Sequence, residues 1–188
     1  HKNKTKNCFI TFIVMLNIYK FHRLFLIMFK KHHLLKSLEK RGIPERILEA
    51  FAEVDRSDFV SAELEKMAYD DIPLPIGKGQ TISQPYTTAV MLSLLELKKN
   101  QHVLEIGSGS GYALALISQI VGEKGRVFGM ELLSELAKKS RKPLVGYRNV
   151  RVFAKSGIHG LQEQAPFDRI LISAAVNEIP QELLHQLK

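Results

Sequence analysis

Cysteine is nearly absent from this chain of 188 residues, which contains only Cys8. A single cysteine excludes an intramolecular disulfide and a zinc site built from cysteines, and we expect no metal in the functional site. Apolar residues make up 45% of the chain and charged residues 24%, as is typical of a globular protein rather than a disordered one. The length suits one domain of ordinary size with a substantial core.

Long apolar runs are also missing. The run from Cys8 to Tyr19 includes Asn17 and spans about a dozen residues, whereas a membrane-spanning helix needs about 20. Lys20 and Arg23 then interrupt it. Residues 1–33 are therefore treated as an arm with three alternatives: an uncleaved targeting or membrane-surface segment, a translated leader outside the fold, or an ordinary helix of the domain. The domain itself is expected to span 34–188.

Acidic residues are absent before Glu39, although the chain carries a net charge of +8. Eight of the 27 basic residues precede Glu39, and the other 19 balance the 19 acidic residues of the chain. The basic field therefore belongs to the arm, and the body of the protein is neutral. On this evidence we expect no nucleic acid partner.

Helix-like and strand-like segments alternate along the body of the chain. Predicted helices include PERILEAFAEV, which begins at Pro44, and PYTTAVMLSLLEL. The second helix is expected to bury one stripe of apolar residues: Val90, Met91, Leu94, Leu95 and Leu97. The predicted strands are HVLEIG, GRVFGME, NVRVFA and FDRILISAA. Short, β-branched, apolar strands between helices indicate a doubly wound α/β fold, with a parallel sheet covered on both faces.

A glycine-rich turn follows the first of these strands, in VLEIGSGSGYALAL. Glycines at such a turn let a ligand approach the backbone and the amides of the next helix. The spacing places Tyr112 where a dinucleotide fingerprint requires its third glycine, and it places Glu105 two residues before the first glycine. This pattern resembles the S-adenosylmethionine site of class I methyltransferases. Glu131 ends the next strand, where a carboxylate can accept hydrogen bonds from ribose hydroxyls.

Another motif precedes the glycine turn, in AYDDIPLPIGKGQTISQPYTTAVML, and a third follows it, in APFDRILISAAVNEIPQELLHQL. In this order the three segments resemble the protein-L-isoaspartate (D-aspartate) O-methyltransferase family from about residue 34 onward. The block from Gln80 to Pro85 is the most specific of the matching features. The resemblance implies a class I, Rossmann-like methyltransferase fold.

The resemblance also implies a role for each site residue. The hydroxyl of Ser83 is implied to lie at the reaction site, and Thr81 and Ile82 are implied to cover S-adenosylmethionine. Glu131 is implied to be the acid that binds the ribose. The implied cofactor loop comprises Glu105, Gly107, Ser108, Gly109, Ser110 and Gly111. The implied reaction methylates the α-carboxylate of L-isoaspartyl or D-aspartyl residues in damaged proteins, and the ester then closes to a succinimide.

This chemistry asks little of an enzyme beyond positioning. A carboxylate has a pKa of about 4 and is already ionised at neutral pH, so it needs no general base. The methyl donor is activated by its positive sulfur, and in-line placement of the two reactants remains. We therefore expect Ser83 to orient an anion rather than to attack. No Ser-His-Asp arrangement is evident, and His102 and His159 are interpreted as structural or solvated.

Two features depart from the family pattern. The family usually has a Gly-Asp-Gly turn after the third strand, where the acid and a neighbouring amide hold the adenine. Lys155, Ser156 and Gly157 occupy that turn here. The uncharged Ser156 hydroxyl predicts weaker cofactor binding. Family members also continue past Lys188 with further strands, so the resemblance implies that the last strands of the sheet are missing.

Two alternatives to the repair enzyme remain open at this stage. One is a decayed or non-catalytic homologue that binds S-adenosylmethionine, which Ser156 favours. The other is a methyltransferase for another substrate such as nucleic acid, which only the basic arm favours. The resemblance implies a monomer in the cytoplasm, and the arm keeps membrane association or export as alternatives.

Overall fold

The computed structural model describes residues 25–188 of the chain. A first helix, α1, covers 25–40. The later helices are α2 (Glu45–Glu53), α3 (Pro85–Leu94), α4 (Tyr112–Val121), α5 (Ser134–Ser140) and α6 (Gln181–Leu184). Short 3-10 turns lie at Arg56–Phe59, Ala62–Met67 and Gln162–Gln164. The predicted helix after Pro44 is confirmed as α2, which has that proline at its N-cap.

The main sheet contains four parallel strands, as the alternating pattern predicted. They are β3 (His102–Ile106), β4 (Arg126–Met130), β5 (Val150–Phe153) and β6 (Arg169–Ile172). Their order across the sheet is β5-β4-β3-β6. The chain therefore winds from β3 towards one edge and crosses back to place β6 on the other side, which is the doubly wound arrangement. The class I, Rossmann-like fold is confirmed.

Apolar side chains cover both faces of this sheet. Val103 and Val127 point into a large core shared with α2, α3 and α4. Leu104 and Phe128, one residue further along each strand, point into a smaller core on the opposite face with Phe167 and Leu183. Because side chains alternate along a strand, neighbouring apolar residues fill two separate cores.

An antiparallel hairpin lies outside the main sheet. Its strands are β1 (Leu74–Gly77) and β2 (Gln80–Ile82), and the pairing runs from Leu74 with Ile82 to Gly77 with Gln80. The two residues between the strands, Lys78 and Gly79, have φ angles of 54° and 70°. Two positive φ angles in a two-residue loop match the twist of paired strands. The segment interpreted from its sequence as an active-site loop is thus a hairpin followed directly by α3.

The first described helix continues into the body of the protein. Leu34 and Leu38 on α1 are buried in the large core. Lys30 and Lys31 pair with Asp70 and Asp55, at 2.8 and 2.7 Å. α1 runs through the position between 33 and 34 where the sequence suggested a boundary, and that division of the chain stays a prediction. Expectations for Cys8 and the rest of 1–24 lie outside the described residues.

Helix α3 corrects one expectation about burial. Leu94, placed on the buried stripe from its spacing, is 79% exposed. The helix instead buries Thr88, Ala89 and Leu92, and Val90 and Met91 are half-buried. Leu97, just beyond the helix, is buried as expected, and Val90, Met91 and Leu95 pack against the large core, so the expectation fails at Leu94.

One edge of the four-stranded sheet is formed by β6, which pairs with β3 alone among the described strands. Near it, Leu187 forms an isolated parallel bridge with Phe167. The expectation of further strands stays a prediction. No helix within 25–188 is both long enough and apolar enough to cross a membrane.

Candidate functional site

A wide cleft opens at the carboxyl ends of β3, β4 and β6 and has a volume of about 1010 Å³. After β3 the chain continues to β4 and β5 on one side of that strand, whereas β6 lies on its other side. The cleft therefore lies at the switch point of the sheet, where the strand order reverses. Ligands of open α/β sheets bind at this position. Eleven of the twelve residues predicted for the site line the cleft: Thr81, Ile82, Ser83, Glu105, Gly107, Ser108, Gly109, Ser110, Glu131, Ser156 and Gly157.

Gly107 occupies a position where only glycine fits. Its φ angle is +80°, and an added Cβ would lie 2.7 Å from the Cβ atom of Ala174. The amides of Gly107 and Ser108 both donate to the carbonyl of Met130, at 2.8 and 3.1 Å. The loop after β3 is therefore held against the ends of its two neighbouring strands.

Gly111, the twelfth predicted residue, is not among the residues that line the cleft. It is the N-cap of α4 with a φ angle of +85°, and an added Cβ would lie 2.7 Å from a methyl carbon of Leu144. Gly111 therefore sets how closely α4 packs against the segment after α5. Its predicted contact with the cofactor stays a prediction.

Glu131 supports the glycine loop from the end of β4. Its side chain is nearly buried, and its two carboxylate oxygens accept hydrogen bonds from the amides of Gly109 at 2.8 Å and Leu133 at 2.9 Å. A carboxylate has about four lone-pair sites, so both oxygens can accept further hydrogen bonds. Glu131 thus orders the loop and keeps acceptor capacity towards the cleft.

Glu105, at the floor of the cleft, is 2% exposed. One oxygen accepts a 2.7 Å hydrogen bond from the hydroxyl of Ser173, and the other has no partner among the described residues. Burial raises the pKa of Glu105 to about 7, and the negative charge of Glu131 adds to this rise. The Ser173 hydrogen bond works against it. Glu105 is an acid at the floor of the cleft with one oxygen left to pair.

The deep part of the cleft fits the cofactor implied by the sequence. Glu105 Oε2 and Ser108 Oγ are both buried without a hydrogen-bond partner in the described part of the chain. Buried polar atoms in folded proteins normally have partners, so the Glu105 carboxyl oxygen and the Ser108 hydroxyl, which can donate as well as accept, are left for a ligand to pair. Glycines at 107 and 109 leave the backbone open beside them. A cationic ligand that donates hydrogen bonds suits two acidic side chains and a bare backbone turn.

The hairpin supplies the opposite wall. Ile82 is buried, whereas Thr81 and Ser83 are exposed at the cleft. Sequence reasoning missed Arg56, which is fully buried and donates a 2.9 Å hydrogen bond to the carbonyl of Ser83. Burial lowers the pKa of the Arg56 guanidinium from its ordinary value. Nothing in the local sequence distinguishes this arginine from a solvated one, because its partners come from distant segments.

The turn after β5 forms a third wall. Ser156 is exposed, and its hydroxyl oxygen accepts a long 3.4 Å contact from the amide of Ile158. An added Cβ on Gly157 would lie 2.6 Å from a methyl carbon of Ile106. His159 also lines the cleft and pairs with Glu182 at 3.3 Å. This turn approaches β3 closely and presents a hydroxyl at the position where the family pattern has an acid.

The rim of the cleft is apolar, which the sequence did not indicate. Four large apolar residues lie there with side chains between 47% and 69% exposed: Leu132, Ile158, Val176 and Ile179. Within residues 25–188, no group of three or more histidine, cysteine, aspartate or glutamate side chains could hold a metal ion.

Sequence relatives agree on one enzyme. The profile of the protein-L-isoaspartate(D-aspartate) O-methyltransferase family matches residues 29–188. The protein-L-isoaspartate O-methyltransferase of Fervidobacterium nodosum is 45% identical over 157 residues, which cover 82% of this chain and 79% of the relative. The enzyme of the same name from Petrotoga mobilis is 48% identical over 153 residues, or 80% of this chain and 71% of the relative.

Solved structures give the same result. A protein-L-isoaspartate O-methyltransferase superposes with a TM-score of 0.79 and 33% identity, covering 84% of this chain and 52% of the other. A Plasmodium falciparum protein, described as a putative enzyme of this kind in complex with S-adenosyl-L-homocysteine, superposes with a TM-score of 0.73 and 26% identity, covering 83% and 78%. With the profile match across 29–188 and the cleft at the switch point of its sheet, the chain belongs to the protein-L-isoaspartate(D-aspartate) O-methyltransferase family.

Proposed function

We propose that the cleft transfers a methyl group from S-adenosylmethionine to the α-carboxylate of L-isoaspartyl and D-aspartyl residues in damaged proteins. One observation carries this proposal: the hydroxyl-bearing hairpin, which lies outside the sheet, faces the same cleft as the glycine loop and Glu131. The sequence relatives named above support this proposal, because each is named as an enzyme with this activity. When bound, S-adenosylmethionine supplies an electrophilic methyl group on a positively charged sulfur.

The deep half of the cleft is assigned to the cofactor. Glu131 is expected to accept hydrogen bonds from ribose hydroxyls with the lone pairs that Gly109 and Leu133 leave free. Glu105 and Ser108 contribute the two unpartnered oxygens described above. Negative charge at the floor of a partly enclosed cleft favours a ligand that carries a positive charge.

The hairpin half is assigned to the substrate carboxylate. Thr81 and Ser83 each present a hydroxyl that can donate to an anion, and both are exposed at the cleft. The carboxylate is ionised at neutral pH, so the site needs no base to activate it. Correct placement of two reactants supplies a large share of a rate enhancement, and fixed hydroxyl donors are suited to that task. Ser83 is therefore an orienting donor rather than a nucleophile.

Two peptides that differ in one linkage test this function. One carries an isoaspartyl residue, and its twin carries aspartate at the same position. The expected result is transfer of labelled methyl groups to the isoaspartyl peptide and negligible transfer to the aspartyl twin. Equal labelling of both peptides, or labelling of RNA in place of either, would contradict the proposal.

A second candidate function has one observation in its favour. Ser156 presents a neutral hydroxyl at the cleft where the family pattern has an acid, as expected for a decayed homologue whose cofactor site has lost a charged acceptor. Calorimetry with S-adenosylhomocysteine, run beside the peptide assay, separates the two. Binding without transfer to either peptide identifies the non-catalytic homologue.

The proposal includes a monomeric enzyme in the cytoplasm that acts on damaged proteins. Light scattering on the full chain tests the monomer, since a mass near twice 21.3 kDa would show a dimer. Fractionation of cells that express the full chain tests its location. Recovery with the membrane fraction would favour the alternative of an N-terminal membrane-surface segment.

A further inference from the structure

Arg56 lies deep inside the protein in the 3-10 turn after α2. Its side chain is 0% exposed, which is unusual for an arginine. None of the ion pairs formed within residues 25–188 includes it. Among the described residues its charge therefore has no direct carboxylate partner, although the charges of Asp71 and Asp70 act on it through space.

Three backbone carbonyls accept hydrogen bonds from its two terminal nitrogens, while Nε has no partner among the described residues. One terminal nitrogen of the guanidinium donates to the carbonyl of Ala68 at 2.6 Å. The other donates to the carbonyls of Ile72 at 3.1 Å and Ser83 at 2.9 Å. Hydrogen bonds from a charged donor are stronger than those between neutral groups. A planar guanidinium can reach several acceptors in fixed directions.

Two of these carbonyls lie at the two ends of the hairpin. Ile72 precedes β1 and Ser83 follows β2, so one nitrogen joins the two ends of the hairpin at its base. The ladder between the strands closes at Leu74 and Ile82, just above this junction. Arg56 therefore continues the closure of the hairpin below its last pair.

The same 3-10 turn also contacts the cofactor half of the cleft. Phe59 lies with its ring centre 5.4 Å from that of Tyr112, the first residue of α4 after the glycine loop. Phe51 on α2 contacts the same ring at 5.9 Å. The turn thus touches the segment that carries the cofactor loop and the segment that carries Ser83.

We infer that Arg56 is a positioning residue that holds both ends of the β1–β2 hairpin and thereby fixes Ser83 relative to the glycine loop. This inference rests on the proposed function. The guanidinium of Arg56 donates to the backbone at both ends of the hairpin, and Arg56 is not among the residues that line the cleft. Loss of these guanidinium hydrogen bonds should therefore move Ser83 while the glycine loop, Glu105 and Glu131 stay in place.

Arg56→Lys tests the inference because it keeps the charge and replaces the two donating nitrogens of the planar guanidinium with a single ammonium. Arg169→Lys is the matched control. The Arg169 guanidinium also donates to two backbone carbonyls, those of Leu95 and Asp168, at 2.6 and 2.7 Å. Arg169 begins β6, at the end of the sheet away from the cleft.

We expect Arg56→Lys to lower kcat for the isoaspartyl peptide by at least about tenfold, because small misplacements of a reacting group reduce rates steeply. Its dissociation constant for S-adenosylhomocysteine should stay within about twofold of wild type. Arg169→Lys should keep kcat at the wild-type value even if its Tm falls as far as that of Arg56→Lys. Equal kcat in both variants, or loss of cofactor binding in Arg56→Lys alone, would overturn the inference.

Hydrogen exchange gives a readout that does not depend on activity. In Arg56→Lys the amides of the Leu74–Ile82 ladder should exchange at least about tenfold faster than in Arg169→Lys, while those of β3 stay protected. Equal protection of the ladder in both variants would refute the inference that Arg56 holds the hairpin. If wild type methylates neither peptide, the proposed function fails, and hydrogen exchange alone tests whether Arg56 holds the hairpin. If Arg56→Lys does not fold, Arg56→Gln takes its place, since it removes the charge and keeps two donors.

Discussion

The glycine loop with its acids and the hairpin with its hydroxyls form opposite walls of one cleft, yet they differ in burial and in what holds them. Glu105, Ser108 and Glu131 are at most 6% exposed, and the loop is packed against the ends of neighbouring strands. Thr81 and Ser83 are exposed, and the backbone of Ser83 is held by a side chain 27 residues away.

The difference shows how two demands are met in one site. A cofactor has the same shape at every turnover, so a wall fixed by close backbone packing suits it. A damaged residue arrives in many sequence contexts, which an open wall that offers hydroxyls can accept. We therefore expect changes in the glycine wall to alter cofactor affinity, and changes in the hairpin wall to alter turnover.

Gly107→Ala is expected to have the largest effect, because it breaks the glycine wall directly. The new methyl group would lie within 2.8 Å of the Ala174 backbone nitrogen at a φ of +80°. We expect a free energy of unfolding lower by about 2–4 kcal/mol and about 100-fold weaker binding of S-adenosylhomocysteine. Urea unfolding and calorimetry measure these. Gly146→Ala is the control, since nothing lies within 4 Å of its added Cβ. Equal losses in both variants would contradict the steric reason.

Glu105→Gln sharpens the comparison by testing how strongly the acid of the glycine wall is shielded from water. The pKa of Glu105 is raised to about 7, so between about pH 4.5 and 7 the folded protein holds a proton that the unfolded chain has released. Raising the pH through this range therefore lowers the free energy of unfolding of the wild type. The glutamine side chain of the variant does not titrate, and we expect the stability of the variant relative to wild type to rise by about 1–3 kcal/mol from about pH 5 to pH 8.

Urea unfolding at the two pH values measures this change. Glu163 supplies the control, because it is exposed, pairs with Lys155, and has a pKa lowered mainly by that hydrogen bond. Glu163→Gln should show no gain in relative stability at the higher pH. A constant difference between Glu105→Gln and wild type would mean that Glu105 is ionised throughout this range.

Ser83→Ala tests the hairpin wall. Loss of an orienting hydroxyl should lower kcat for the isoaspartyl peptide about tenfold and leave the dissociation constant of S-adenosylhomocysteine within about twofold of wild type. Thr87→Ala is the control, because Thr87 is exposed on α3 and does not line the cleft. Loss of cofactor binding in Ser83→Ala would show that the two walls are not separate in function.

Ser156→Asp is expected to have the smallest effect. An aspartate at this turn restores the charge of the family pattern and should tighten S-adenosylmethionine binding by about threefold to tenfold, because hydrogen bonds to charged acceptors are stronger. Ser37→Asp adds the same charge on the exposed side of α1, away from the cleft, and should leave the dissociation constant unchanged. Calorimetry distinguishes the two. An unchanged or weaker constant for Ser156→Asp would count against the assigned role of this turn.

The glycine wall was the more predictable of the two from sequence. The alternation of short apolar strands and helices indicated the parallel sheet, and the position of Glu131 at the end of a strand placed it beside the loop. These relations are local, because a turn after one parallel strand meets the end of the next. The hairpin was interpreted as a loop, since its two short strands are broken by prolines and glycines that also suit turns.

Other features depended on contacts between distant segments. The exposure of Leu94 on α3 was not predicted, because the residues of this helix that pack most deeply are Thr88, Ala89 and Leu92, and their contacts come from distant segments. The buried Arg56 gave no sequence signal, because its three acceptors are backbone carbonyls, and every residue has one.

The sequence by itself determined the order of the elements, the glycine turn and the acids that flank it, because each follows from local periodicity and backbone geometry. The tertiary structure alone decided that Arg56 closes the base of the hairpin, that Glu105 is buried enough to raise its pKa, and that Ser83 is exposed at the cleft that the glycine loop lines. Each of these depends on burial or on atoms far apart in the chain, and desolvation and long-range hydrogen bonds exist only once the segments have packed together.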